Sequence, residues 1–289
     1  MEMMTHAERF LERSREFTAR ATAFGLADAN RYYWYHTVDL GDGLITPGMY
    51  DYRETIASFG FPEDMRGMTV LDVGSATGFF AFEFERRGAR VVSVELPSLR
   101  DLDRFPGQDV DSSLRKIEAM IFPDVLDLEK FVRHGHGERD LYWYLLEGPF
   151  RFCRDRLNSR VERCYSTVYD LTLERTGVRE GFDLVFFGDV LIHTLYPLKA
   201  LASLAALCRG TLVFAGVLPE GPQEPPAMMY IGGSGAADDE VAWWHPNLSC
   251  LTQMLRKLGF AQVEKRGFHR GALNPSGWEF ERVIIEARK

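Results

Sequence analysis

The sequence predicts an α/β protein: a doubly wound, mainly parallel seven-stranded sheet ending in a C-terminal antiparallel hairpin, with an N-terminal helical cap and a lid-like insertion. Three observations lead there. Short aliphatic runs without polar alternation, "TVLDVG", "RVVSVEL", "FDLVFFGDVL" and "TLVFAGVLP", have the composition of strands covered on both faces. Helical stretches stand between them, as parallel pairing requires. A glycine-bearing turn closes the first run, and an acid ends the second.

Taken in order, Ala7, Phe10, Leu11, Phe17, Ala21 and Phe24 recur at mostly helical spacing and predict an amphipathic first helix. "RYYWYHTVDLGDGLITPG", Arg31 to Gly48, is dense in aromatics and turn residues, and a helical pattern over Tyr50 to Phe59 follows before the Phe61-Pro62 break. Residues 1–65 therefore read as a cap and 66–289 as the sheet domain. The sheet begins at Thr69, followed by the helical "FFAFEFERRG" and the second strand. "VERCYSTVYDL", Val161 to Leu171, is the third strand and Phe182 to Leu191 the fourth. The helical "PLKALASLAALC" leads to the fifth at Thr211 to Pro219. "LSCLTQMLRKLGF" is an amphipathic helix, and "AQVEKRGF" with "FERVIIEARK" makes the closing hairpin. A βαβ crossover needs about thirty residues; the longer stretch after Glu95 marks an insertion, at about 100–158, read as a lid or an oligomer contact. A homodimer is accordingly one expectation. Pro219 to Glu240, rich in Pro and Gly, reads as a long loop beyond a strand end, where loops usually face a ligand.

Bulk properties narrow the function. The 289 residues carry a formal net charge of -8, so no global positive field draws in a polyanion. The four cysteines, Cys153, Cys164, Cys208 and Cys250, include no CxxC pair, which argues against a zinc ribbon or disulfide framework and for a reducing, cytoplasmic setting. The first residues carry charges of both signs, and no apolar run reaches the roughly 18 residues of a membrane span. His134 and His136 in "HGH" lack a supporting carboxylate or cysteine cluster, so no metal site is expected.

"VLDVGSATGFF", Val70 to Phe80, concentrates small residues where the first strand meets its helix. A ligand crossing such a turn meets backbone N–H groups and little side chain. A dinucleotide fingerprint wants glycine at the middle position, which here is Ala76, so pyrophosphate is disfavoured. Glu95, at the tip of the second strand, is placed to accept both hydroxyls of a ribose.

"VLDVGSATG" resembles the first motif of the class I S-adenosylmethionine-dependent methyltransferases, and the likeness covers roughly Thr69 to Lys289. It implies a Rossmann-like fold, S-adenosylmethionine as the cofactor, and a set of contacts. Asp72, Gly74, Ser75 and Gly78 would line the methionine part. Glu95, with Leu96, would hold the ribose side, and Asp170, with Leu171, the adenine side. Gly188 and Asp189 would lie near the sulfonium. "GDVLIHTLYPLKAL" and "WWHPNLSCLTQMLRKLGF" resemble, more narrowly, the family around the tRNA wobble-uridine carboxymethyl-transfer enzymes and its small-molecule relatives. In those tRNA enzymes a lysine, a tyrosine and an arginine grip an extra donor carboxylate. Here Ile192 occupies the tyrosine position, Arg282 matches the arginine, and no lysine is placed, which favours ordinary methyl transfer.

Methyl transfer needs alignment and exclusion of water, and a general base only when the nucleophile starts protonated. His193, after the fourth strand, is the first candidate, weighed against a structural histidine at a strand end. His36 is the second. Trp34 and Tyr35 are candidate substrate contacts from the cap, weighed against packing of the first helix. For His245 the structural explanation outweighs a pocket role, and for the Met228-Met229 pair loop packing explains as much as contact with an apolar substrate. Tyr142, Trp143 and Tyr144 cannot share one helix face. The arginines of "RFCRDRLNSRVER", interspersed with acids, read as a solvated face rather than an RNA contact. The expected acceptor is a small molecule with an oxygen or nitrogen nucleophile; tRNA is the less favoured partner, and a non-catalytic cofactor-binding protein is a third reading.

Overall fold

The computed structural model describes residues 4–121, 138–235 and 241–289. The histidine pair at 134 and 136 lies outside them. Nine strands occur among the described residues: β1 (Thr69–Val73), β2 (Arg90–Glu95), β3 (Glu162–Tyr165), β4 (Phe182–Gly188), β5 (Cys208–Gly216), β6 (Met228–Tyr230), β7 (Trp244–Pro246), β8 (Gln262–Ala272) and β9 (Glu279–Arg288). Seven form one sheet in the order β3-β2-β1-β4-β5-β9-β8, while β6 and β7 pair separately. Pairing is parallel from β3 through β5 and antiparallel where β9 joins β5 and β8 joins β9. This is the seven-stranded, Rossmann-like sheet with a closing hairpin that the sequence predicts. The order reverses between β2-β1 and β4, so a crevice opens at the carboxyl ends of β1 and β4.

Strands β1, β2, β4, β5 and β9 each feed two cores. Along β4, Leu184 and Phe186 join a cluster with Phe80 and Phe84 of helix α2 (Phe79–Arg86), while Val185 and Phe187 join one with Leu201 and Leu204 of Pro197–Leu207. Such alternation within an unbroken apolar run is what a sheet covered on both faces demands. Asp72 breaks this logic: it shares the face of Val70, yet carries a carboxylate into the buried layer.

Helix α1 (His6–Ala23) starts with a capping box, in which Thr5 Oγ1 accepts the Glu8 N–H at 3.2 Å and the Glu8 carboxylate accepts the Thr5 N–H at 2.7 Å. It buries Phe10, Phe17 and Ala21, whereas Leu11 and Phe24 of the predicted stripe are exposed. Trp34 packs edge-on to Phe17, Tyr32 and Phe152, with ring centroids 5.5–5.7 Å apart. The cap thus shares the core of α2 and Phe186.

Three predicted elements are shorter, the fourth strand among them: it ends at Gly188, and Leu191 opens the 3-10 turn Leu191–His193. Over Tyr50 to Phe59 only Ile56–Phe59 turns, as a single 3-10 segment, because Tyr50 pairs with the chain at His36: its N–H donates to Tyr35 and its carbonyl accepts from Thr37. The third strand stops at Tyr165 rather than Leu171. Ser166 makes a last bond to the Glu95 carbonyl, after which Val168–Asp170 turns and Val168 and Leu171 pack onto the Leu201 side. In the insertion, α3 (Val110–Ile121), Glu138–Tyr142 and a π-helical turn, Trp143–Glu147, precede α4 (Gly148–Arg156). Leu114, Leu141 and Leu145 pack there against Tyr33 of the cap.

Candidate functional site

A cavity of about 220 Å³ opens at the crevice. Its first wall is the turn after β1. Gly74 has φ +73° and Ala76 φ +48°, both left-handed. A Cβ on Gly74 would lie 2.4 Å from Val190 Cγ2, so this glycine answers both a turn and a close approach. Gly78 also has φ +91°, but a Cβ there would strike Phe150 and Phe82 at 2.7 Å. Its smallness serves helix packing, and Gly78 does not line the cavity. The Ala76 N–H already donates to Glu95 Oε2 at 2.9 Å, which leaves it engaged with a carboxylate rather than open to a phosphate.

Glu95 ends β2 with its carboxylate anchored twice, by Ala76 and by the Leu96 N–H at 3.0 Å. It is 8% exposed and lines the cavity together with Leu96. Asp72 lines it as well. Burial pushes the Asp72 carboxyl up to about 7, with Arg163 opposing that rise and Glu95 adding to it. Its Oδ2 is buried without a hydrogen-bond partner, so the site holds one acid whose charge awaits compensation.

The opposite wall follows β4. Gly188 and Asp189 line it, and Asp189 has φ +53°. Arg282 from β9 donates its Nε to both Asp189 oxygens, at 2.6 and 2.7 Å, with its guanidinium over the Phe280 ring. Burial raises the Asp189 pKa, and Arg282 opposes the rise.

After β4 the chain forms a 3-10 turn, Leu191–His193, which meets the loop after β5. Three bonds clamp the two together: Trp243 N–H to Ile192 O at 2.8 Å, Trp244 Nε1–H to Leu195 O at 3.2 Å, and His193 Nδ1 to Val241 O at 2.6 Å. A carbonyl only accepts, so Nδ1 is the donor of this bond and Nε2 is the ring nitrogen left to face other partners. His193 lines the cavity; Ile192, with His245, belongs to a smaller pocket beside Asp189.

Tyr35 and His36 reach the cavity from the cap. His36 is fully enclosed, and burial pushes its pKa down to about 3, so it is neutral at pH 7. Its Nδ1 has no partner, and its ring stands within 6 Å of Tyr35, Tyr52 and Phe80. Tyr52, Phe59, Phe80 and Phe186 continue this aromatic wall.

Six of the expected contacts fall elsewhere, Ile192 in the smaller pocket and five more as follows. Asp170 is exposed and accepts from Thr167 Oγ1, and Leu171 is in the core; the early end of β3 moves both off the cavity, leaving Ser166, Thr167, Val168 and Tyr169 as the wall. Ser75 is buried under the turn, bonded to Ser93 and Arg163. Gly78 and Trp34 are packing residues. The expected solvated face of arginines fails at Arg163, whose side chain is 4% exposed; the signal was a charge in β3 opposite the small Ser93. Leu146 of the insertion was not singled out, and the Tyr142 hydroxyl donates to Leu96 O at 2.7 Å. The lining includes the carboxylates of Asp72, Glu95, Asp101, Asp103 and Asp189, against Arg282 as its single lysine or arginine.

No protein-family model matches the sequence. A tRNA U34 carboxymethyltransferase of Dichelobacter nodosus is 26% identical over 199 residues, 67% of this chain and 46% of that protein, so the match spans less than half of the relative's length. The crystal structure of the N-terminal domain of EvdMO1 in the presence of SAH and D-fucose aligns with a TM-score of 0.52 at 15% identity, covering 95% of this chain and 96% of that one. A Burkholderia thailandensis 1,6-didemethyltoxoflavin-N1-methyltransferase aligns over 100% of this chain and 92% of its own at 15% identity, with a TM-score of 0.46. Among the described residues no group of His, Cys, Asp and Glu suits a metal ion, and no helix is long and apolar enough to cross a membrane.

Proposed function

We propose that the chain is an S-adenosylmethionine-dependent methyltransferase acting on an oxygen or nitrogen of a small-molecule acceptor. The observation that carries this reading is the charge of the cavity. Five acids line the cleft against one guanidinium, itself tied to Asp189, and of the five the Asp72 carboxyl, pushed up to about 7 by burial, is only partly ionised at neutral pH. That excess of negative charge suits a cationic ligand and disfavours a polyanion. Asp72, with its unpartnered Oδ2, would meet the ammonium group of the donor. Glu95, held from behind by two N–H groups, would accept the ribose hydroxyls, and Val168, Leu96 and Leu146 supply apolar surface for the base. When bound, that donor supplies a methyl group on a sulfonium and leaves as a neutral thioether.

The chain's own residues then align and deprotonate. The aromatic wall of Tyr35, Tyr52, Phe59, Phe80 and Phe186 keeps water from the acceptor end. His193 Nε2 takes the acceptor proton where the nucleophile starts protonated, its ring held by the Val241 carbonyl. His36 is too weakly basic for that task, since burial keeps its pKa about four units below neutrality; we assign it to positioning the acceptor.

The Dichelobacter relative favours a second reading, tRNA wobble-uridine modification. Asp101 and Asp103 in the cavity lining argue against it, as does the engagement of Arg282 with Asp189. The four cysteines are free, which supports a reducing cytoplasm. Calorimetry tests the proposal: folded protein should bind S-adenosylmethionine and S-adenosylhomocysteine, and silence with both would end it. Strongly salt-dependent tRNA binding would move the acceptor to the second reading.

A further inference from the structure

Behind the cavity lies a group of charges with no part in the chemistry above. Arg163 of β3 is buried, its side chain 4% exposed, and its guanidinium lies 4.0 Å over the Phe150 ring. Nη1 donates to Ser75 Oγ at 2.5 Å and to Ser93 Oγ at 2.9 Å, and Nη2 to the Ala76 carbonyl at 3.4 Å. Nη2 also stands 4.0 Å from Glu95 Oε2. One cation thus grips the glycine turn from below and faces the acid that ends β2.

On its other side stands Glu147, last residue of the π-helical turn Trp143–Glu147. Single π-turns interrupt helices most often at functional sites. Glu147 is 4% exposed, and its Oε1 accepts from the Tyr165 hydroxyl and from Arg151 Nε, both at 2.5 Å. Its Oε2 has no hydrogen-bond partner, nor has Arg163 Nε, and these two buried atoms stand 3.7 Å apart. A buried carboxylate with an unpaired oxygen is costly unless a cation balances it; Arg151 serves Oε1, and the cation that Oε2 faces at 3.7 Å is the one holding the turn. The same π-turn delivers Leu146 to the cavity wall, and Tyr142, just before it, bonds Leu96 O.

We propose that Glu147 and Arg163 are positioning residues through which the insertion between β2 and β3 holds the Ser75–Ala76 turn and the Glu95 carboxylate in donor-binding geometry. The inference rests on the donor assignment above. It makes the insertion part of the donor site rather than a passive cover. Glu147 fixes the orientation of the guanidinium; the guanidinium fixes the turn; and the turn fixes Glu95 through the Ala76 N–H.

The test is a mutant cycle read by donor affinity and thermal midpoint. Glu147→Gln keeps the acceptor for Tyr165 but turns an amide toward Arg163; it should weaken S-adenosylhomocysteine binding about tenfold with little loss of thermal stability. Ser75→Ala should weaken it several-fold. If Glu147 acts through Arg163 on the turn, the double variant binds about as weakly as Glu147→Gln alone, whereas independent roles give additive losses. Arg151→Gln, which removes a half-exposed partner of the same carboxylate, should leave affinity within about twofold of wild type. Wild-type affinity in Glu147→Gln, or strict additivity in the cycle, overturns the inference while the donor assignment stands. Absence of binding by the wild-type protein overturns both.

Discussion

Replacing Asp72 by Asn should make the protein more stable and a poorer donor binder, and the stability gain should grow with pH. Folding buries this carboxyl completely and moves its pKa from the ordinary 3.8 to about 7. Below pH 3.8 it is protonated in both folded and unfolded chains and contributes no difference. Between 3.8 and about 7 the unfolded chain ionises while the folded one keeps its proton, so folded-state stability falls as pH rises; above about 7 the penalty is constant. At about 1.4 kcal/mol per pH unit the full penalty is about 4 kcal/mol. Asn retains the shape and removes the titration, so urea denaturation of both proteins from pH 4.5 to 7.5 should show their difference widening by about 3 kcal/mol. A difference that stays flat with pH would refute the argument that burial governs this acid. The binding arm has the opposite sign. A cationic group beside Oδ2 favours the ionised form, so donor binding near pH 6.5 should release a proton in the wild type, seen as a buffer-dependent calorimetric enthalpy, and should release none in Asp72→Asn.

Other expectations follow from the same geometry. Glu95→Gln keeps the volume but loses the charge that would accept two hydroxyls, and should weaken donor binding by about 30-fold or more in equilibrium dialysis; normal affinity would remove the ribose assignment. His193→Ala should lower turnover about a hundredfold while donor affinity changes less than twofold, and unchanged turnover would return this histidine to a structural role. Gly78→Ala drives a Cβ to 2.7 Å from Phe150 and Phe82 at φ +91°, so its cost, about 2 kcal/mol or more, should appear in the thermal midpoint. Trp34→Ala should cost about 3–5 kcal/mol as a core truncation, and a stable variant with selectively altered acceptor affinity would restore the substrate-contact reading.

The strands of the main sheet were legible because β1, β2, β4 and β5 must be apolar on both faces, which leaves runs such as "VFF" with no other efficient burial. Glu95 and Gly74 were legible for the complementary reason, as an acid and a bare backbone at strand ends where packing asks for neither. Asp170 was misplaced because Val168 and Leu171 look like strand residues; their burial is against the helix at Leu201, and only the last backbone bond, Ser166 to Glu95, marks where pairing stops. Arg163 and Glu147 lie sixteen residues apart in the sequence and are joined by tertiary packing alone, which no local period encodes. Trp34 and the Tyr52–Phe59 wall were equally ambiguous, since aromatic density does not say which ring faces a cavity and which a core.

The arrangement of charge also favours the proposed enzyme over a protein that merely senses the proposed donor. Donor recognition would require only the β1 turn, Glu95 and the segment after β3. The cavity continues past them to a second set of residues from the cap and β4, with Tyr35, His36, Tyr52, Phe59 and Phe186 uncharged or neutral at physiological pH. The Asp189–Arg282 ion pair cancels itself, so the acids of the proposed donor end adjoin a compartment with almost no net charge. A sensor gains nothing from that compartment, whereas a transfer reaction needs it: the acceptor must approach along one line, in a dry space, without competing for the carboxylates that hold the donor. His193 lines the same cavity, its Nδ1 bonded to a carbonyl from a loop that the fold clamps in place with three bonds. A ring so oriented suits the proton transfer proposed for it, which is why the catalytic reading explains more of the chain than the binding one.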